Sequence, residues 1–147
     1  MKAFRGAFEF LSNFYPAKVV VDGISYTNAE AAFQAQKCAD AIDKSAFAGL
    51  AAVKAKRMGR QVKLRPDWDA VRVGIMEEVV RAKFSQDTVL AMRLLATGSM
   101  PLEEGNDWGD TFWGVDIRTG KGENNLGKIL MKIRDELVKV VAGCHQA

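Results

Sequence analysis

Glu30, Phe33, Gln34 and Lys37 stand at i, i+3, i+4 and i+7, so on a helix they share one face. A core face rarely mixes Phe with Glu, Gln and Lys. An aromatic with several polar groups suits the wall of a ligand pocket. A carboxylate there can activate water, steady a developing cation or pass a proton. Glu30 has a structural alternative: with Thr27 it forms the pattern of a capping box, its carboxylate accepting from the Thr27 backbone N–H. A second cluster runs Glu103-Glu104-Gly105-Asn106-Asp107-Trp108-Gly109-Asp110-Thr111-Phe112-Trp113-Gly114, with acids and aromatics interleaved. Large aromatics usually pack, so Trp108 and Trp113 read as core plugs. The acids, on a loop, read more readily as binding or catalytic groups. Trp68, after Pro66 and Asp67, is either a core anchor or a platform on which a base stacks. Asn13, Asn124 and Asn125 fit turns and caps, and the amide of Asn13, inside the aromatic run Phe8 to Tyr15, could also read a ligand's hydroxyl or carbonyl edge. Residues 54–65 hold Lys54, Lys56, Arg57, Arg60, Lys63 and Arg65 without an acid, which suits either a solvated helix end or a phosphate-binding patch.

Other chemistries find little support. The two cysteines, Cys38 and Cys144, do not form a disulfide framework and read as reduced thiols of the cytoplasm. The single histidine, His145, lies next to the C-terminus, so a Ser-His-Asp or Cys-His mechanism would need a tail residue as its base. No metal-ligand spacing is present, and no cofactor motif. The net charge of +3 permits an anionic ligand without demanding nucleic acid. No apolar run approaches ~18 residues, so no membrane span is expected. The opening MKAFRGAFEF does not read as a secretory signal.

The elements that must position these residues follow from local pattern. The 147 residues suit one domain, 1–147, of ordinary globular composition. Residues 18–26 carry a hairpin signature, with Asp22-Gly23 supplying a type I′ turn. A helix opens at the Thr27–Glu30 box. Residues 43–58 are alanine-rich and predict a second helix ended by Gly59 as the residue past its C-cap. Asp67 is placed to cap a third helix through about Phe84, with Val71, Ile75, Val79 and Ala82 at helical spacing. A fourth covers 86–96 and stops at Thr97-Gly98. The segment 98–123 reads as a long loop, a length more often functional than idle. Asn124 or Asn125 then caps a last helix with the stripe Leu126, Ile129, Ile133, Leu137 and Val140. The fold class is mainly α, an α+β chain with a small N-terminal hairpin and about five helices.

Taken in order, FEFLSNFYPA (8–17), YTNAEAAFQAQK (26–37), RMGR (57–60), RPDW (65–68), RAKF (81–84), DTFWG (110–114) and GKGENNLGKILMKIR (120–134) resemble the NADAR/YbiA-like family over nearly the whole chain. The resemblance implies a small, mostly helical domain. It implies an N-glycosidase that acts on ribosylaminopyrimidine phosphates of the early riboflavin pathway. The alternative it allows is a hydrolase that removes ADP-ribose from guanine bases of nucleic acid. Carried onto this sequence, it makes Glu30, Asp110 and Trp68 the catalytic set. Lys37, Glu104 and Asn124 become substrate-binding residues, with Glu103 the other possibility for the loop acid, and Asn13, Arg57, Arg60 and Trp113 are candidate substrate-binding residues on the reading of the residues themselves. Ala31 departs from the pattern, since many members have His directly after the Glu. A phosphorylated ribosyl small molecule is the expected partner, held by the basic stretch. The chemistry is coherent: the bond breaks through an oxocarbenium-like ribose, which a carboxylate stabilises. A rival of another class remains open on the residues alone, a non-enzymatic nucleotide or nucleic-acid binder that uses the basic stretch and the aromatics.

Overall fold

The computed structural model describes residues 2–146, with the side chains of 144–146 outside the described set, so Cys144 and His145 carry no side-chain statement. The chain divides into two compact units. A mid-chain unit covers Asn13–Gln86, and a terminal unit combines Met1–Ser12 with Asp87–Ala147.

The mid-chain unit begins with the hairpin. β1 (Pro16–Val21) and β2 (Ile24–Asn28) pair antiparallel, with Val19 opposite Tyr26 and Val21 opposite Ile24. Asp22 and Gly23 have φ of 49° and 79°, the left-handed pair a type I′ turn requires. α1 (Ala29–Ala35) follows at once and packs on both strands, on α3 (Ala52–Gly59) and on α4 (Trp68–Ser85). Every residue of α1 is buried, and its alanines permit that close approach from all sides.

The start of α1 differs from the expected box. The N-cap is Asn28, whose Oδ1 accepts from Ala31 N (2.7 Å). Thr27 instead donates through Oγ1 to the Leu50 carbonyl (3.0 Å), which the Asn28 amide also reaches (2.9 Å). Glu30 is thereby released from a capping role: its N–H donates to Asn13 C=O (3.0 Å) and its carboxylate accepts from Gln34.

The expected helix over 43–58 is two helices. α2 (Ala41–Ser45) is capped by Asp40, which accepts from Asp43 N (2.9 Å), and α3 starts only at Ala52. The pull of Thr27 and Asn28 on the Leu50 carbonyl holds the chain in a turn between them. Gly59 is the last residue of α3 rather than a residue beyond its cap, and its φ is not left-handed. α4 matches its expected span, but Asp67 makes no side-chain cap; it pairs with Arg65 at 2.6 Å.

In the terminal unit, a 3-10 helix (Gly6–Leu11) that periodicity did not reveal precedes α5 (Thr88–Leu95) and α6 (Asn125–Gln146). Asp87 caps α5 through Leu90 N (3.1 Å), and Gly98, at φ 64°, follows its end. Leu126, Ile129, Leu130 and Ile133 of α6 are buried, whereas Val140 is exposed, so the stripe serves the core only in its first half. The long loop contains a small parallel pair, β3 (Gly105–Asn106) and β4 (Val115–Asp116). The mainly α class with one small hairpin holds. Among the described residues no helix is long and apolar enough to cross a membrane.

Candidate active site

The mid-chain unit brings Glu30, Phe33, Gln34, Lys37, Trp68 and Gly59 together. Glu30 is only 8% exposed, and its Oε1 accepts from Gln34 Nε2 at 2.8 Å. The Phe33 and Trp68 rings meet at 5.2 Å between centroids, tilted by 53°. A backbone strap sets Trp68 there: Arg65 N donates to Lys37 C=O (2.8 Å), and Trp68 N to Arg65 C=O (3.2 Å). Trp68 is buried, so the core-anchor role is present and any stacking uses what remains of its ring.

Lys37 is half-buried, with Nζ 6.0 Å from the Trp68 centroid and 3.3 Å from Gly59 C=O. Burial pushes its pKa down. Glu30 pushes it back up, and Arg60 and Lys56 push it down again. Two further cations therefore act on the Lys37 ammonium, a setting that an arriving phosphate would relieve. Arg60 and Arg57 are exposed, as are Lys54 and Lys63, and Lys56 lies 5.8 Å from the Phe14 ring centroid. Asn13 is buried: its carbonyl holds the Glu30 N–H, and its amide donates to Met76 Sδ (3.3 Å).

Gly59 explains how a polar face fits inside. A Cβ at Gly59 would stand 1.9 Å from Gln34 Oε1, so the glycine makes room for the amide. Cys38 is a buried free thiol whose pKa burial raises, the setting of an inert cysteine.

The terminal unit holds the second cluster, organised by a residue that sequence reasoning passed over. Asn106 is fully buried. Its amide nitrogen donates to Glu104 Oε2 (3.1 Å) and Asp110 C=O (2.8 Å), and its oxygen accepts from Asp110 N (3.0 Å). Asp110 Oδ1 accepts from Phe112 N (3.2 Å) and Trp113 N (2.9 Å), so one carboxylate oxygen is engaged in shaping the loop. Asn124, at φ 53°, stands immediately before α6 and its carbonyl accepts from Lys128 N (3.0 Å), while its side-chain oxygen accepts from Glu104 N and its nitrogen donates to Leu102 C=O. Glu104 is braced by these bonds, and Glu103 is half-buried beside it. Trp113 is half-buried, edge-on to Phe112 at 4.8 Å. Trp108 is 61% exposed and plugs no core, because Gly109 at φ 85° and the Asn106–Asp110 bonds turn the chain outward there.

Lys83 is another buried group that the sequence reading did not single out as a side chain. It is fully buried on α4, 5.8 Å from the Tyr15 centroid and 5.1 Å from that of Phe84, and burial lowers its pKa to about 7. The signal was there, a lysine one turn beyond the buried Val79 and Val80. Among the described residues no group of three or more His, Cys, Asp or Glu side chains is placed to hold a metal.

Comparison with known proteins gives four matches of note. The family model described as the NADAR domain matches residues 2–138. The chain is 42% identical over 131 residues to a riboflavin biosynthesis protein of Vibrio vulnificus, a match covering 87% of this chain but only 35% of that longer protein. It is 38% identical over 129 residues to the N-glycosidase YbiA of Escherichia coli, covering 86% of this chain and 79% of that one. The NMR structure of E. coli YbiA matches with a TM-score of 0.84 at 33% identity, covering 97% of this chain and 85% of that chain.

Proposed function

The chain belongs to the NADAR domain family and is an N-glycosidase, and from that premise we propose that it cleaves the bond between ribose and an aminopyrimidine in ribosylaminopyrimidine phosphates. The single observation that carries the assignment of the reacting group is the setting of Glu30: a buried carboxylate, held by an amide, beside an aromatic pair and a desolvated lysine. The name of the Vibrio relative supports a substrate of riboflavin formation.

In this reading the bond from C1′ to the base nitrogen breaks, and its electrons leave with the base, which takes up a proton. The ribose passes through an oxocarbenium-like state. Glu30 stabilises that charge and receives the proton of the water that adds to C1′, which is then passed on to the departed base nitrogen so that the carboxylate is regenerated. Phe33 and Trp68 form an apolar wall that keeps bulk water off the reacting carbon. Lys37 and Arg60 hold the ribose phosphate, with Arg57 as a further binding group on the same basic stretch. Asn13 fixes the backbone of Glu30. The roles of Asp110 as second carboxylate, and of Glu104 and Asn124 as binding groups, rest on the family resemblance, and that of Trp113 on its place in the aromatic loop. Asp110→Asn tests them through its turnover. The family model runs over residues of both units, which supports one functional domain, and reduced Cys38 fits a cytoplasmic protein.

The exposed cations Lys54, Arg57, Arg60 and Lys63 exceed what one phosphate needs, which favours a second substrate class, ADP-ribosylated guanine in nucleic acid. Purified protein is assayed against the ribosylaminopyrimidine phosphates and ADP-ribosylated guanine DNA side by side. Free base and ribose 5-phosphate from the first, with little release from the second, is the expected result. Release of ADP-ribose alone would overturn the substrate assignment.

A further inference from the structure

Trp108 stands where a folded protein rarely leaves an indole. It is 61% exposed, whereas Trp68 is buried and Trp113 is half-buried against Phe112. Large aromatics gain most from packing, so an indole kept in water calls for a reason other than stability. The loop does not let it tuck in. The Asn106 side chain closes residues 106–110: its oxygen accepts from Asp110 N (3.0 Å) and its nitrogen donates to Asp110 C=O (2.8 Å). Asn106 is itself fully buried, so this clasp is anchored in the interior of the terminal unit. Gly109, at φ 85°, completes the turn. The turn is built from Asn106, Gly109 and Asp110, and it needs no indole at 108. The outcome is a large aromatic ring on a fixed stem, accessible from solvent. A ring held in this way stacks on another flat ring at little ordering cost.

Charge selects the partner ring. The stretch 103–116 holds five acids and no lysine or arginine. A nucleic-acid strand brings a phosphate with every base and is repelled there. A single base with exocyclic amino groups brings N–H donors and no charge, and ionised carboxylates only accept. We propose that Trp108 is a substrate-binding residue on whose ring the amino-bearing pyrimidine stacks, within this acidic loop. The proposal rests on the aminopyrimidine reading of the substrate for the identity of the ring. Asp110, read above as the second carboxylate, ends the same loop, so the stack adjoins that group within one unit. No bond forms or breaks at Trp108. Its contribution is affinity for the base, and through it a choice among substrates.

The test uses the full chain as wild type, Trp108→Ala and Trp108→Phe. Free triaminopyrimidine is the probe, uracil is a pyrimidine without amino groups, and ribose 5-phosphate is a ligand without a base. Affinities come from calorimetry, with indole emission followed alongside. Triaminopyrimidine should quench the emission of wild type. Trp108→Ala should weaken its binding by roughly 5- to 100-fold, the worth of one base–aromatic stack, and Trp108→Phe should recover most of that loss. Uracil should bind wild type more weakly than triaminopyrimidine, and ribose 5-phosphate should bind wild type and Trp108→Ala alike. On the ribosylaminopyrimidine phosphate, Trp108→Ala should raise KM more than it lowers kcat. Thermal melts should agree within a few degrees, because the side chain is exposed. Binding of triaminopyrimidine that is undetectable in wild type at millimolar ligand, or unchanged within about twofold in Trp108→Ala, overturns the proposal. So does uracil that binds as tightly as triaminopyrimidine. Loss of single-stranded DNA binding in Trp108→Ala with base binding intact also overturns it and makes the ring a nucleic-acid contact. Base binding that depends on Trp108, with no hydrolysis of the ribosylaminopyrimidine phosphate, would instead overturn the substrate reading, which is a separate outcome.

Discussion

Gly59→Ala sets two effects of opposite sign against each other. At an ordinary helical position, alanine stabilises over glycine by up to about 1 kcal/mol. Gly59 has no left-handed φ to protect, so backbone conformation offers no objection. The side-chain geometry does. The new methyl would stand 1.9 Å from Gln34 Oε1, 2.7 Å from its Cδ and 3.2 Å from its Cβ. Rotating the amide about Cγ–Cδ relieves only the first contact, and the second and third require the side chain to move nearer its root. The amide therefore swings away and gives up its bond to Glu30. A hydrogen bond to a charged group contributes about 1.5–3 kcal/mol, so the net is a destabilisation of about 1–2 kcal/mol. For a chain of this size that lowers Tm by roughly 2–8 °C. Turnover should fall further than stability suggests, by about 10-fold or more, because the reacting carboxylate loses its orientation. Thermal melts together with steady-state rates check both parts. An alanine variant that melts higher than wild type and turns over at the wild-type rate would refute the claim that Gly59 exists to seat the Gln34 amide.

Lys83 has a pKa lowered to about 7 by burial, below its unfolded value, so the unfolded chain holds the extra proton between about pH 7 and 10.5. Stability should rise with pH through that window, by about 2 kcal/mol from pH 7 to 9 relative to Lys83→Met, as read from urea midpoints. Parallel pH dependence in the two proteins would contradict it. Asn106→Ala removes the donor and acceptor that brace Glu104 and Asp110, and should cost about 2–4 kcal/mol in a denaturant melt. Gly23→Val should cost about 1 kcal/mol or more, because a β-branched residue tolerates the 79° φ poorly, again by denaturant melt.

Where signal and cause lie close together in the chain, the sequence was readable. Asp22-Gly23 dictates its own turn, and α4, α5 and α6 follow from long periodic stretches and their flanking residues. The readings went astray where a distant partner decided between local options. Thr27 and Asn28 are both competent caps. The Leu50 carbonyl engages the Thr27 hydroxyl and leaves the Asn28 oxygen to the helix. The same carbonyl divides the alanine-rich stretch into α2 and α3, which composition alone could not register. Within the site, the shared face of Glu30, Phe33, Gln34 and Lys37 came from helical spacing, and Trp68 from the resemblance. By local rules Gly59 reads only as a helix stop, because its partner Gln34 is 25 residues away, a separation no local rule spans. Asn106 was invisible for a similar reason: an asparagine among glycines and acids looks like any turn residue until its hydrogen bonds are known.

Glu30→Gln tests the central claim most directly. Glutamine keeps the size of the side chain, and the helix cap is supplied by Asn28, so the fold loses little. What disappears is the charge that stabilises the ribose cation and receives the proton of water. The hydrolysis rate on the ribosylaminopyrimidine phosphate, measured by release of free base beside a thermal melt of the same preparation, should fall by ~10²-fold or more while Tm stays within a few degrees of wild type. Wild-type turnover in this variant would contradict the account and leave Glu30 as a buried structural acid.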